Sequence, residues 1–424
     1  MPQRDQALAG RVALSHPDFV LYTTARFFVV AGTQMQSVAV GWQVYEITRR
    51  PLDLGLVGLA QFLPGFFLFL VSGHIADRFD RRRLLGVCYA GFALCSGLLF
   101  LLSVKHVRTV LPIYAVLVLL GAVRSLNGPV SRALLPQLVP IEHFPNAVAW
   151  NSTVFQGATI LGPSIGGVMY AAFHGPAVVY ATSFVFAMGS MAATWKIQSR
   201  STELRREPMS SQTAFAGFRY IWKQRLIFAL ISLDMFAVLL GGAVALLPVY
   251  ASDILKTGPW GLGLLRSAPG VGSAVMALYL AHRPLKGRAG VAMLWAVGGF
   301  GVCTILFGVS RILWVSLALL VVLGASDMVS VIIRGTLIQL ATPDAMRGRV
   351  NAVDMMFIGV SNELGEFESG LTAHWFGTVP SVVLGGIGTL VVIGLWAWLF
   401  PELREAGRMH AVAAESLERT AADT

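Results

Sequence analysis

Gly73-His74-Ile75-Ala76-Asp77-Arg78-Phe79-Asp80-Arg81-Arg82-Arg83-Leu84-Leu85 separates two long apolar runs and is the dense cluster of charge in the first quarter of the chain. Its four arginines would cross a bilayer only at large cost, so a connection of this kind between two membrane helices stays on the cytoplasmic side. That choice orients the rest of the chain. Outward from it, the 424 residues are 55% hydrophobic and 13% charged, with mean hydropathy +0.68. A soluble protein carries about 25% charged residues, so a water-soluble globule is excluded. Apolar stretches of about 20 residues, the length that spans the hydrocarbon, recur from end to end. Twelve spans are expected, at 19–47, 54–74, 83–103, 109–130, 145–172, 176–197, 225–250, 259–281, 288–309, 312–335, 349–375 and 379–400.

The net charge of +10 would suit nucleic acid, but its placement points elsewhere. With the amino terminus inside, the outer connections hold only Arg49, Arg50, Lys105, Arg108, Lys256 and Arg311, and most other basic residues fall inside. This is the positive-inside bias of a multi-pass membrane protein, and the partner of its basic charge is anionic lipid rather than DNA. Cys88, Cys95 and Cys303 all fall within apolar spans, so no disulfide is expected. The polar first eighteen residues give no cleavable signal peptide, and the first span directs insertion.

The opening stretch resembles the loop between helices 2 and 3 of the major facilitator superfamily, Gly-x-x-x-Asp-Arg-x-Gly-Arg-Arg. Gly73, Asp77, Arg78, Arg81 and Arg82 match, and Asp80 stands where the family has glycine. The resemblance implies a conformational latch made by these five residues, with Asp77 capping a helix. A loop that only sets topology is the other reading. It also implies the fold: an all-α polytopic membrane protein of twelve transmembrane helices in two pseudo-symmetric six-helix bundles. The segments expected are a cytoplasmic amino-terminal segment 1–18, a first bundle 19–197, a cytoplasmic linker 198–224, a second bundle 225–400 and a cytoplasmic tail 401–424. At a constant offset of 205 residues, Tyr45 falls on Tyr250, Pro64 on Pro269, Arg78 on Arg283 and Asn146-Ala147-Val148 on Asn351-Ala352-Val353. That register reads as an internal duplication, which places a substrate site between the halves near the bilayer midplane.

Gly162-Pro163-Ser164-Ile165-Gly166-Gly167 in the fifth span puts small residues at helical spacing, where helices can approach closely. It is similar to the Gly-Pro-x-x-Gly-Gly signature of exporters in the superfamily, with Ala158 where a further glycine belongs; a bend and packing face is the plain alternative. Arg124 with Asn127-Gly128 is similar to the superfamily pattern Arg-x-x-Gln-Gly, which implies a link to proton movement, or else an arginine that reaches back to the cytoplasmic face. The run Leu134 to Pro140 with Asn146-Ala147, and Asn362 to Phe367, resemble the enterobactin-exporter branch.

The eleventh span is the most unusual chemically. Glu363, Glu366 and Glu368 cannot be left ionised against lipid, and Glu363 and Glu366 share one face. Two acids in one water-poor crevice are suited to sharing and passing a proton. Arg26 and Asp234 lie at similar depths in the first and seventh spans and are expected to pair, whereas Asp327 and Arg334, seven apart in the tenth, share a stripe that suits a fixed pair. The candidates for proton coupling are therefore Glu363, Glu366, Asp234 and Arg124; those for holding substrate are Arg26, Gln34, Asp327 and Asn362. No His/Cys metal spacing occurs, although carboxylates with Asn362 can ligate a hard cation.

These readings lead to a proton-coupled efflux antiporter for a small amphipathic molecule such as a siderophore or drug. It would work by alternating access as a monomer in the bacterial inner membrane, with both termini cytoplasmic. Its energy source would be the proton gradient, with no cofactor, no resident metal and no nucleic-acid partner. The alternatives are a uniporter or importer that recognises a cationic solute through the acids of the eleventh span, and a sensor that binds without transporting. No nucleophile-base pair or phosphate loop supports an enzyme.

Overall fold

The computed structural model describes residues 12–198, 211–283 and 288–405, with the side chains of 69–78, 211–216 and 345 outside the description. Long helices dominate: α1 (Pro17–Thr48), α2 (Pro51–Arg78), α3 (Arg81–Val104), α4 (Leu111–Leu134), α5 (Phe144–Ala172) and α6 (Ala177–Lys196). After them come α7 (Ser211–Lys223), α8 (Arg225–Leu240), α9 (Gly258–His282), α10 (Ala289–Val309), α11 (Leu313–Ala341), α12 (Asp344–Phe376) and α13 (Thr378–Leu399). Among the described residues, nine segments are long and apolar enough to cross a membrane. The segments α1, α5 and α12 are of comparable length but fall outside that set. Polar side chains such as Arg26, Gln156 and Glu363 interrupt them, and helices of that kind need protein or water on one face rather than lipid.

Local chemistry sets the ends. Pro17 and Asp18 open α1, where a missing N–H and a negative charge are both favourable, and Arg49 closes it in the left-handed region at φ 53°, its N–H bonded to Tyr45 O. The connection between α2 and α3 is much shorter than the expected loop, because α2 continues to Arg78 and leaves only Phe79 and Asp80. Asp80, where the family has glycine, is the residue that caps: its carboxylate accepts from Arg83 N at 2.9 Å. Asp77 lies in the last turn of α2 instead.

Two departures from the expected spans matter. The seventh span is broken: α8 stops at Leu240, Gly241-Gly242 follows, and a 3-10 turn (Ala243–Leu246), a short helical turn (Leu247–Val249) and a π turn (Tyr250–Ile254) continue it. Adjacent glycines weaken the helix and Pro248 removes an N–H, while the apolar composition runs through unchanged. The expected hydrophilic linker also contains a helix, α7, whose Phe218, Ile221 and Trp222 form an apolar face against Phe228, Ile231 and Phe357.

The chain divides into two compact units, one of Met1–Arg49, Ala60–Pro208 and Gly258–Ser267, the other of Arg50–Leu59, Met209–Thr257 and Ala268–Thr424. Within the first, α1 packs on α5 and α6, and α3 on α4 and α6. Within the second, α8 packs on α12 and α13, and α10 on α11 and α13. These are the same pairings at the duplicated positions. The second unit's core is Ile227, Leu230, Met293, Val297, Leu337 and Val353.

Candidate functional site

In the second unit, three helices bring charge together. Arg334 of α11 is 4% exposed, and its Nη1 lies 2.6 Å from Asp354 Oδ1 of α12 while its Nη2 lies 3.3 Å from Asp234 Oδ2 of α8. The fork of a guanidinium suits two acids at once. Asp327, on the same stripe of α11, makes no hydrogen bond or ion pair among the described residues. It shares a small recess with Asp234, Ser330, Val297 and Phe300. Two carboxylates therefore hold one guanidinium, and a third borders a recess with one of them.

This arrangement corrects two expected pairs. Arg334 is taken by Asp234 and Asp354 rather than by Asp327. Arg26 finds neutral partners inside the first unit: its Nη1 donates to Ser131 Oγ at 2.8 Å and Tyr22 Oη at 3.1 Å, and its guanidinium stands 5.4 Å from the centre of the Phe155 ring. Asp354 was not among the sequence candidates. It lies near the start of the eleventh span, where a carboxylate looks like a border residue, and only the packing of α12 on α8 turns it inward. Arg266 was likewise missed; it is half-buried in α9 and donates to Ser37 Oγ of α1.

Glu363 and Glu366 are half-buried on α12, beside the first turns of α2. A methyl group on Gly58 would stand 2.8 Å from Glu366 Oε2 and 2.9 Å from its Cβ, so glycine there lets the two helices close on that acid. On the other flank, Gly365 backs onto the carbonyls of Val238 and Leu239, and Gly242 at the break in the seventh span meets Gly365 and Ser369. The acidic stretch thus runs beside a discontinuity in its neighbour, where backbone groups are freed from helical pairing. Asn362 is exposed, its amide donating to Ile358 O at 2.8 Å.

In the first unit, Arg124 is exposed on α4 and donates to Gln61 Oε1 of α2 at 2.9 Å. Gln34 lies against α5, where Gly162 approaches its Cβ; Gly166 meets Met35, and Gly167 meets Gly263 and Pro259 of α9. Pro163 sits inside α5 between these contacts, and Ser164 donates to Ser267 Oγ at 2.8 Å. Of the five arginine-stretch residues, Gly73, Asp77 and Arg78 have side chains outside the described set. Arg81 donates to Ala133 O at 3.3 Å and Arg82 to Trp195 O at 2.5 Å, placing two cations at the carbonyl ends of α4 and α6, where the helix dipole favours them.

Residues 10–421 match the family model described as transmembrane secretion effector. The chain is 27% identical over 403 residues to the enterobactin exporter EntS of Shigella boydii serotype 4 (strain Sb227), covering 92% of this chain and 93% of the relative. It is 26% identical over the same length to EntS of Escherichia coli O139:H28, again covering 92% and 93%. Among solved structures it is similar to a mutant form of the nucleoside transporter NupG, with TM-score 0.70 at 12% identity, over 90% of this chain and 100% of that one. It is also similar to a D-xylose-proton symporter, with TM-score 0.67 at 14% identity, over 89% and 97%. These structures carry the fold.

Proposed function

Because the chain belongs to the transmembrane secretion effector family of major facilitator transporters, we propose that it is a secondary exporter of a small amphipathic molecule, driven by inward movement of protons. The observation that carries this reading is the surplus of acid in the second unit: Asp234 and Asp354 share one Arg334, and Asp327 borders a recess with Asp234. One guanidinium balances one carboxylate. The remaining negative charge inside a membrane-spanning unit is tolerable only if protons neutralise part of it, and an acid that must take up a proton can tie its occupancy to a gradient. Glu363 and Glu366 add further acids beside the break in the seventh span, and Arg124 adds a cation on α4.

Arg26, Gln34 and Asn362 are the cargo contacts in this reading. Arg26 supports it most, because it is a half-buried cation held by two hydroxyls and an aromatic face, which suits an anionic or aromatic group on the cargo. The related exporters make enterobactin the first cargo to test. The protein would sit in the bacterial inner membrane with both termini cytoplasmic, in keeping with the arginine bias.

Proteoliposomes containing the purified protein, loaded with enterobactin or a lipophilic cation and given a pH gradient, test the proposal. Gradient-driven flux that Glu363→Gln/Glu366→Gln abolishes supports it. Flux of the cation that survives collapse of the gradient would favour a uniporter instead.

A further inference from the structure

From Gly217 to Lys223 the residues of α7 are sorted around the helix. Ile221 is 3% exposed and joins the core of the second unit, and Gly217 lies so close to α12 that an added methyl would stand 3.0 Å from Arg349 O. Next around the circumference comes a row of Phe218 and Trp222, one turn apart and 40% and 65% exposed. Beyond it lies a second exposed row, Arg219 and Lys223, also one turn apart. A helix that passes from core to exposed aromatic to cation has the arrangement of one lying in the border between hydrocarbon and headgroups.

The surroundings of α7 agree. The Trp222 ring centre stands 5.1 Å from that of Phe228 in the first turn of α8, Phe228 stands 6.0 Å from Phe400 just past the end of α13, and Phe400 stands 5.9 Å from Trp396. Such a belt of aromatic rings marks a membrane-water border. Beside Phe218 and Trp222 is a recess closed by Ile221, Phe228 and Phe357. The hydroxyl on its wall, that of Ser232, is engaged: it donates to Phe228 O and accepts from Trp396 Nε1 at 3.0 Å. The recess therefore suits hydrocarbon rather than a polar group. The cations next to it lack such partners. Arg225 is matched by Glu402 at 3.3 Å, but Arg219 and Lys223 make no ion pair among the described residues, and the sequence of α7 contains no acid.

We propose that α7 carries a binding site for one anionic phospholipid, such as phosphatidylglycerol, from the leaflet on the linker side. The lipid phosphate sits between Arg219 and Lys223, and an acyl chain lies along Phe218 and Trp222 toward Phe357. This is narrower than a general attraction of basic loops to lipid. Two cations one turn apart, bordering an apolar row, select a molecule that has both a negative head and a tail. The site depends on neither the cargo nor the coupling ion. It makes the joint of α7, α8 and α12 responsive to lipid charge, because Ile221, Phe228 and Phe357 meet there.

Native mass spectrometry of the full-length purified protein, delipidated in detergent, tests the site with phosphatidylglycerol and phosphatidylcholine as probes. Wild type is expected to take up its first phosphatidylglycerol at a concentration ~tenfold or more below that for phosphatidylcholine, since each cation near an anionic surface contributes about fivefold. Arg219→Gln/Lys223→Gln, which changes two exposed side chains and should melt like wild type without lipid, should lose that preference. Arg219→Lys, which retains the charge, should keep it, as should Lys105→Gln/Arg108→Gln on the connection between α3 and α4. Phe218→Ser/Trp222→Ser should weaken uptake of both lipids. Glycerol 3-phosphate, a head without a tail, should not compete. Equal uptake of the two lipids by wild type, an undiminished preference in Arg219→Gln/Lys223→Gln, or competition by glycerol 3-phosphate at lipid concentrations would overturn the inference.

Discussion

Arg334 is held between Asp354 at 2.6 Å and Asp234 at 3.3 Å, and nearly all of its surface is removed from solvent. Taking away one partner of a buried ion pair leaves the other charge uncompensated, a loss of about 3–5 kcal/mol. Arg334→Met is therefore expected to lower the unfolding temperature sharply, and Arg334→Lys to recover only part of it, because a point charge cannot span two acids as a fork does. Equal stability of all three forms, measured by thermal unfolding in the same detergent, would remove the triad from the account. The sequence made Asp234, Asp327 and Arg334 visible as charges out of place, yet paired them wrongly. A spacing of seven on one helix marks a shared stripe, but which acid an arginine reaches is decided by the neighbouring helix. Asp354 illustrates the point, since nothing in its own surroundings in the chain distinguishes it from a residue at the membrane border.

Helices meet in this protein where glycine removes a side chain, and the consequence depends on what the missing methyl would touch. On α5, Gly167 faces the backbone of Gly263, with its Cα 2.8 Å and its N 2.9 Å from the position of an added Cβ, whereas Gly157 on the same helix has nothing within 4 Å. Gly167→Ala should destabilise by about 1–3 kcal/mol, as overpacking does, and Gly157→Ala should be neutral or slightly stabilising through helix propensity. A pair of melting curves decides this, and matching losses from both variants would contradict the packing assigned to α5. At the break after α8, an added Cβ on Gly242 would stand 2.6 Å from Gly365 O. Gly242→Val is expected to impair transport more than membrane insertion, seen as normal yield with reduced flux. The break itself escaped the reading by hydropathy because Gly241-Gly242 and the turns that follow are as apolar as the helix before them. The helix α7 escaped for the opposite reason: the charges of 200–207 made the whole connection look hydrophilic, although Phe218, Ile221 and Trp222 recur at helical spacing.

At the scale of the whole chain, the all-helical multi-pass fold was legible in the sequence, because membrane-spanning length reports on many residues at once. The repeated pairings α1 with α5 and α6, and α8 with α12 and α13, agree with an internal duplication. Orientation is tested by cysteine labelling: replacing Arg81, Arg82 and Arg83 with glutamine should raise the fraction of molecules inserted the wrong way round, since these cations contribute much of the inside charge of the first unit. The most direct test concerns energy coupling. Proteoliposomes holding the wild-type protein and enterobactin are given a pH gradient, with and without a protonophore. Net movement of cargo against its own gradient is expected, abolished by the protonophore and lost in Glu363→Gln/Glu366→Gln; cargo movement indifferent to the protonophore would contradict proton coupling.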